Sequence, residues 1–464
     1  MVEIAFLVTF ALAIGAYAVN RHAAGRMWAA APMDMSADRP HSIPVFHALY
    51  GFLIAGLPAV IVLLIWLVLQ GPIVDWLTMT SLAESRLAGL GAGERDLLLS
   101  EVKSIARGRV FGEPPEWKMA AAERLTALQQ WGRILMVLAV GALGLAGLIA
   151  ARRRVAPAFR ARQGAERIVF GLLMFCATVA IFVTIGIVAS LLTEALRFFS
   201  KVPFWDFLFG LNWEPQIPLR EGQVAAEGAF GWIPVLTGTI VVTMVALTVA
   251  VPVGLFSAMY LHEFAGHRFR RVAKPLLEIL AGVPTVVYGF FAILTVAPAL
   301  RAAGDALGLP VAPNTALAAG SVMGIMLIPF IASFTDDALG AVPRALRDGA
   351  LALGATRAEA MLQVLVPAAI PGIVGGVLLA VSRAIGETMI VVMAAGIMAN
   401  LTLNPLDSVT TVTVQIVTLL IGDTSFDNPK TLAAFALGLM LFILTLGINI
   451  LALRIVRKYR EIYD

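Results

Sequence analysis

Apolar residues are gathered into nine long runs, at about 2–19, 45–69, 134–151, 168–192, 236–260, 276–299, 315–335, 368–398 and 431–453, with polar stretches between them. A run of about 20 apolar residues, rising 1.5 Å per residue as a helix, matches the hydrocarbon thickness of a bilayer. Each run is therefore predicted as a membrane-spanning helix. Pro58 in the second and Pro367/Pro371 at the head of the eighth are compatible with that prediction, because membrane helices tolerate proline. The longest polar stretch, 70–133, carries Leu97, Leu98, Val102 and Ile105 near helical spacing, breaks at Pro114-Pro115, and resumes over 116–130. The expected fold class is an all-α polytopic membrane protein of about nine spans.

Composition agrees. Of 464 residues, 59% are apolar and 14% charged, against roughly 25% charged in soluble domains. Disorder is excluded, since it requires low hydrophobicity and high charge. The single cysteine, Cys176, excludes an intramolecular disulfide framework and a multi-cysteine metal site. Twenty of the 34 basic residues fall on five segments flanking the runs: Arg21, Arg26 and Arg39; Arg152–Arg154, Arg160, Arg162 and Arg167; Arg268, Arg270, Arg271 and Lys274; Arg344, Arg347 and Arg357; Arg454, Arg457, Lys458 and Arg460. Lys and Arg collect on cytoplasmic loops, so these segments are assigned to the cytoplasm. With nine spans, the amino terminus is then periplasmic and the carboxyl terminus cytoplasmic. The first run lacks a preceding base and is followed by Arg21 and Arg26, the wrong charge order for a signal peptide; it is expected to be a membrane anchor.

Three regions follow. Residues 1–155 hold three spans and the segment 70–133, expected to be a periplasmic helical cap. Residues 156–167 form a basic cytoplasmic linker. Residues 168–464 form a six-span block.

Few motifs carry chemistry. None of the six lysines follows a glycine, so the chain lacks a P-loop and any ATP coupling must come from a partner. His262-Glu263-Phe264-Ala265-Gly266-His267 spaces its histidines at i and i+5, which turns the second about 100° away from the one-turn spacing of a zinc helix; it reads as a basic interfacial loop. Gly89, Gly91 and Gly93 follow no strand and form no dinucleotide loop. Gly320/Gly324 and Gly372/Gly376 have the spacing that lets membrane helices approach closely.

Two features stand out. Ala345–Pro367 is amphipathic, setting Leu346, Ala350, Leu353, Ala360, Met361, Val364 and Leu365 against Arg347, Asp348, Arg357, Glu359 and Gln363, with Gly354-Ala355-Thr356 interrupting it. The pattern suits a hairpin that docks on a partner and equally a helix lying on lipid. Arg383 and Glu387 lie inside the eighth run, where a charge costs roughly 2.5–3.5 kcal/mol. Their i,i+4 spacing predicts one helix face. They read either as a mutually neutralising pair or as a charged point on a polar route.

The run Asp348-Gly349-Ala350-x3-Gly354-x9-Val364-x-Val366-Pro367 resembles the EAA loop of binding-protein-dependent ABC importer permeases, with Asp348 and Gly349 in place of the usual Glu and Ala and valines in place of Ile and Leu. Leu280-Ala281-Gly282-Val283-Pro284-Thr285-Val286-Val287-Tyr288-Gly289-Phe290 and Arg383-Ala384-Ile385-Gly386-Glu387-Thr388-Met389 are similar to signatures of the phosphate importer permeases, the latter with an ending like that of PstC-type subunits. The resemblance covers about 165–460; the first 155 residues look like the extension carried by the long form of such subunits. It implies a type I ABC importer core in the last six spans, in a bacterial inner membrane. It also implies a sister permease, two ATPase subunits that bind ATP and magnesium, a periplasmic phosphate-binding protein, and no catalysis or cofactor in this chain. Arg383 and Glu387 would line the phosphate path. Asp348, Gly349, Ala350, Gly354, Ala355, Val364 and Pro367 would form the ATPase-coupling loop, and Gly282, Pro284, Tyr288, Gly289 and Gly386 would serve packing. A permease for another oxyanion or small solute is the alternative within the class; an ATP-independent channel or carrier is the alternative outside it.

Overall fold

The computed structural model describes residues 2–30, 40–82, 91–109, 114–215, 229–421 and 428–459. Arg39, Arg460 and Gly89 of the sequence reading lie outside them. The helices are α1 (Val2–Ala29), α2 (Pro44–Thr80), α3 (Ala92–Ala106), α4 (Glu116–Arg153), α5 (Ala161–Phe199), α6 (Phe204–Phe209), α7 (Ile233–Phe264), α8 (His267–Gly282), α9 (Thr285–Leu307), α10 (Ala316–Gly340), α11 (Arg344–Ala352), α12 (Arg357–Ile385), α13 (Met389–Ala394), α14 (Val412–Leu420) and α15 (Pro429–Tyr459). Among the described residues, nine are long and apolar enough to cross a membrane: α1, α2, α4, α5, α7, α9, α10, α12 and α15. The contacts divide the chain into Met1–Ile181 and Phe182–Asp464.

In the first unit α1, α2 and α4 pack on small residues. Ala5, Ala13, Ala16 and Ala24 of α1 are buried. A Cβ on Gly56 would lie 3.1 Å from that of Ala13, and one on Gly147 would lie 2.5 Å from the Ile54 carbonyl oxygen. Such contacts let backbones close up where no hydrophobic drive operates. Helices α2 and α4 have 37 and 38 residues, about 55 Å each, well beyond a hydrocarbon core of about 30 Å. Much of 70–133 is therefore the projecting ends of two spans rather than a separate cap. Helix α3 packs on them through Val74, Val102, Ala121, Ala122 and Leu125, and Lys118 pairs with Glu101.

The stretch 156–167, expected as a basic linker, is packed against its neighbours. Phe159 and Ala165 pack with Tyr50 and Ala151, Arg154 donates to the Tyr50 hydroxyl, and helix α5 has begun by Ala161. The division between units falls instead within α5.

The second unit is built around α10, with α7 on one side and α12 on the other. Gly320 and Gly324 let α10 approach Val245 and Val249 of α7; Gly372 and Gly376 of α12 meet Ala338 and Phe334 of α10. The buried core includes Val242, Ala246, Met323, Leu327, Ile331, Ala380 and Val391. A second cluster gathers Phe198, Phe207, Trp213, Phe230 and Trp232 around the antiparallel pair β1 (Trp213–Glu214) and β2 (Ala229–Phe230).

Two spans are placed differently from the hydropathy pattern. The sixth was expected at 276–299 but begins at Thr285, because Val283 and Pro284 are extended and separate an amphipathic helix, α8, from the span α9. The eighth was expected at 368–398; its helix begins at Arg357 and stops at Ile385.

Candidate transport site and coupling hairpin

The stop after Ile385 sets the geometry of the charged pair. Beyond Gly386, one Glu387 carboxylate oxygen accepts from the backbone N–H groups of Met389 at 3.1 Å and Ile390 at 3.4 Å. The side chain thereby takes the orphan donors at the start of α13, the local competition with helix continuation that acidic side chains offer. The Glu387 carbonyl accepts from the Thr413 hydroxyl at 2.8 Å. Glu387 thus lies past the end of α12, not on one of its faces, and no ion pair joins it to Arg383 among the described residues. Of the two readings left open by the sequence, the mutually neutralising pair is not formed, because the shared helix face it required needs an unbroken helix.

Arg383 is exposed in the isolated chain. Its guanidinium carbon stands 5.9 Å from the centroid of the Phe330 ring on α10, within cation–π range. The neighbouring loop is fastened by polar contacts that the hydropathy pattern did not signal. Gln415 donates to the Ile397 carbonyl at 2.7 Å and accepts from the Trp213 indole at 2.8 Å. Asp407 accepts from Thr402 and Asn404, and the Val412 N–H donates to Thr239 at 3.0 Å.

The signature residues hold this region from behind. Gly282 and Pro284 form the turn from α8 into α9, and the Tyr288 hydroxyl donates to the Leu280 carbonyl at 2.8 Å across it. Gly289 faces α13: a Cβ there would lie 2.6 Å from Met393 Sδ and 3.3 Å from the Met389 carbonyl oxygen. A Cβ on Gly386 would meet only the Arg383 and Ser382 carbonyl oxygens, at 3.6 and 3.7 Å, in ordinary contact.

The segment 344–365 is a helical hairpin. Helix α11 ends at Gly354, whose φ of +93° is left-handed and suits glycine. Thr356 then caps α12 in a reciprocal box, its N–H donating to Glu359 Oε2 at 2.8 Å while its hydroxyl accepts from the Glu359 N–H at 3.3 Å. Met361, Leu365 and Ala369 are buried with Met259, Leu339 and Val342; Val364 is half-buried, and Pro367 is exposed within α12, just after its wide turn Ala360–Leu365.

The other face departs from simple amphipathicity. Arg347, expected among the solvated residues, is turned inward: its Nη2 and Nε donate to the Glu263 carboxylate at 2.6 and 2.8 Å. The Glu263 side chain is 5% exposed. The Glu263 hydrogen bond holds the Arg347 guanidinium pKa above its ordinary value. Leu353, on the apolar side of the pattern, is 92% exposed, and Leu346 and Leu362 are exposed as well. Asp348, Gly349 and Gly354 are exposed, and Ala350 and Ala355 half-buried. The hairpin is thus fastened by an ion pair and presents leucines outward.

Beside it, Asp336 near the end of α10 gathers His262 at 2.8 Å, Arg270 at 3.1 Å and Lys274 at 2.7 Å. His262 is thus a partner of Asp336, and α8 is tied to α10 by these bonds. Asp336 passed unnoticed in the sequence because its three partners lie 62 to 74 positions away.

Residues 250–461 match the family model described as "Binding-protein-dependent transport system inner membrane component", and residues 6–183 match one described as "Phosphate ATP-binding cassette transporter". The chain is 32% identical to the probable ABC transporter permease protein YqgH of Bacillus subtilis over 63% of this chain and 88% of that protein. It is 30% identical to the phosphate transport system permease protein PstC of Xylella fastidiosa strain 9a5c, over 65% of this chain and 95% of that one. To PstC of Mesorhizobium japonicum it is 30% identical over 56% and 80%. The chain belongs to the PstC-type binding-protein-dependent permeases. In this permease the inner-membrane-component match begins within α7 and takes in the Asp336 cluster, the hairpin and the Arg383–Glu387 segment. The other model ends at 183, close to the division at 181/182.

Proposed function

We propose that this permease is the membrane-spanning subunit of an ATP-driven phosphate importer. The observation that carries the reading is the hairpin 344–365, held to α7 by Glu263–Arg347 and presenting Leu346 and Leu353 outward, in a chain with no ATP-binding loop of its own. Its relatives include phosphate transport permeases matched over most of their length, which favours phosphate over other oxyanions.

The chain is not an enzyme and holds no cofactor; ATP and magnesium belong to two ATPase subunits docked on the hairpin. A sister permease and a periplasmic phosphate-binding protein complete the assembly. The arginine-rich ends of the spans lie in the cytoplasm of a bacterial inner membrane, with the amino terminus outside and the carboxyl terminus inside.

Arg383 and Glu387 line the phosphate path. An exposed arginine at the level of the hydrocarbon is too costly to face lipid, so it faces the passage shared with the sister permease. Its guanidinium is free of ion pairs among the described residues and matches the geometry of a phosphate oxyanion. The Glu387 carboxylate repels the same anion and keeps it from being held, as conduction through weak successive sites requires. Nucleotide-driven movement of the hairpin passes to α7 through Glu263–Arg347 and to α12 through the continuous chain, shifting the balance of outward- and inward-open states. Arg383→Gln should abolish phosphate uptake with assembly intact; radiolabelled phosphate uptake with sulfate as competitor tests it. An assembled variant that transports at the normal rate would remove Arg383 from the path.

A further inference from the structure

The first unit contains a cavity of about 360 Å³ where α3 lies across the projecting ends of α2 and α4. Its polar walls are Gln70 and Asp75 from α2, Lys103 and Arg107 at the end of α3, and Gln129 and Arg133 from α4. Three cations face one carboxylate, which Lys103 already engages at 2.7 Å. Arg107 and Arg133 have no ion pair or side-chain hydrogen bond among the described residues, so the lining carries two uncompensated guanidinium groups and two amides. Both are exposed to water, and two unpaired guanidinium groups lining one cavity give it a local positive potential that draws an anion. Such groups bind phosphate oxygens two at a time. The volume lies in the range of small-molecule sites and leaves room for an ion with its water.

The depth of the cavity narrows the class of ligand. Arg133 stands 19 residues before Arg152 on α4, about 28 Å along the helix axis. That is close to one hydrocarbon thickness from the arginine-rich end, which places the cavity at the level of the opposite headgroups. We propose that it is a binding site for a phosphate group, carried either by free inorganic phosphate or by the headgroup of an anionic lipid. The site is separate from the Arg383 segment in sequence and in structural unit, and does not depend on the transport reading.

The test uses the full chain, with the subunits that co-purify with it, in nanodiscs. Every protein carries Arg383→Gln, so that the transport segment contributes no phosphate binding. Arg107→Gln/Arg133→Gln is compared with its parent, with Arg107→Lys/Arg133→Lys, and with Arg124→Gln, an exposed α4 position outside the cavity. In phosphatidylcholine discs, equilibrium binding of radiolabelled inorganic phosphate is measured; in discs containing phosphatidylglycerol, retained lipid is counted by native mass spectrometry. Free phosphate as ligand predicts binding weakened about tenfold or more in the glutamine pair, with lysine restoring most of it. A lipid ligand predicts instead that the glutamine pair alone loses retained phosphatidylglycerol. If the glutamine pair matches its parent in both measurements, or Arg124→Gln changes them equally, the proposal is overturned.

Discussion

Glu263→Ala tests how the hairpin is held. The substitution removes a carboxylate that accepts two charge-assisted bonds, at 2.6 and 2.8 Å, and leaves the Arg347 guanidinium without them. Removing one partner of a fully buried pair costs roughly 3–5 kcal/mol. Here the Glu263 side chain is 5% exposed but that of Arg347 is 35% exposed, so water recovers part of the loss, and about 2 kcal/mol is expected for hydrogen bonds to a charged group in this setting. That corresponds to about thirtyfold more frequent opening of the local structure. Amide hydrogen exchange of peptides covering 344–353 in the nanodisc-embedded protein is the direct assay. Protection there should fall about thirtyfold, and the swap Glu263→Arg with Arg347→Glu should restore part of it. Peptides around Asp336, which keeps its own three partners, should be unchanged. Unaltered exchange over 344–353 would show that the pair does not anchor the hairpin, and that the path from docked ATPase to α7 is wrong.

Gly354→Val forces a branched side chain into a left-handed turn at a cost of about 1–2 kcal/mol; the hairpin tip should deform and the ATPase should no longer co-purify, while membrane insertion persists. Intact co-purification would remove the docking role. Glu387→Ala strips the start of α13 of its acceptor and should destabilise that segment by about 1 kcal/mol, seen as faster exchange over 386–394. Glu387→Gln keeps an oxygen acceptor and should leave exchange unchanged while altering phosphate uptake, so equal uptake in Gln and wild-type protein would deny the carboxylate charge any part in transport.

The two candidate sites were legible to different degrees. The hairpin could be read because its determinants are local: a left-handed Gly354, a Thr356–Glu359 box and an apolar stripe all act within a few residues. The charged segment was given a helical geometry that the structure does not keep. An unbroken apolar run suggests one helix through 368–398, but Glu387 offers its carboxylate to the N–H groups of Met389 and Ile390, and that competition ends the helix at Ile385. The outward turn of Leu353 was hidden too, since periodicity gives a face but not which side a neighbour covers.

Hydrophobic run length, basic clusters and local turn chemistry needed no structure, because bilayer thickness, loop charge and backbone capping act on consecutive residues. They determined the nine spans, the EAA-like hairpin and the absence of a P-loop. The anchors and the cavity required the tertiary fold. Glu263 meets Arg347 across 84 positions, and Lys103 meets Asp75 across 28. Which charges are paired, and which, like Arg107 and Arg133, are left facing a cavity, depends on helix packing that brings distant residues together.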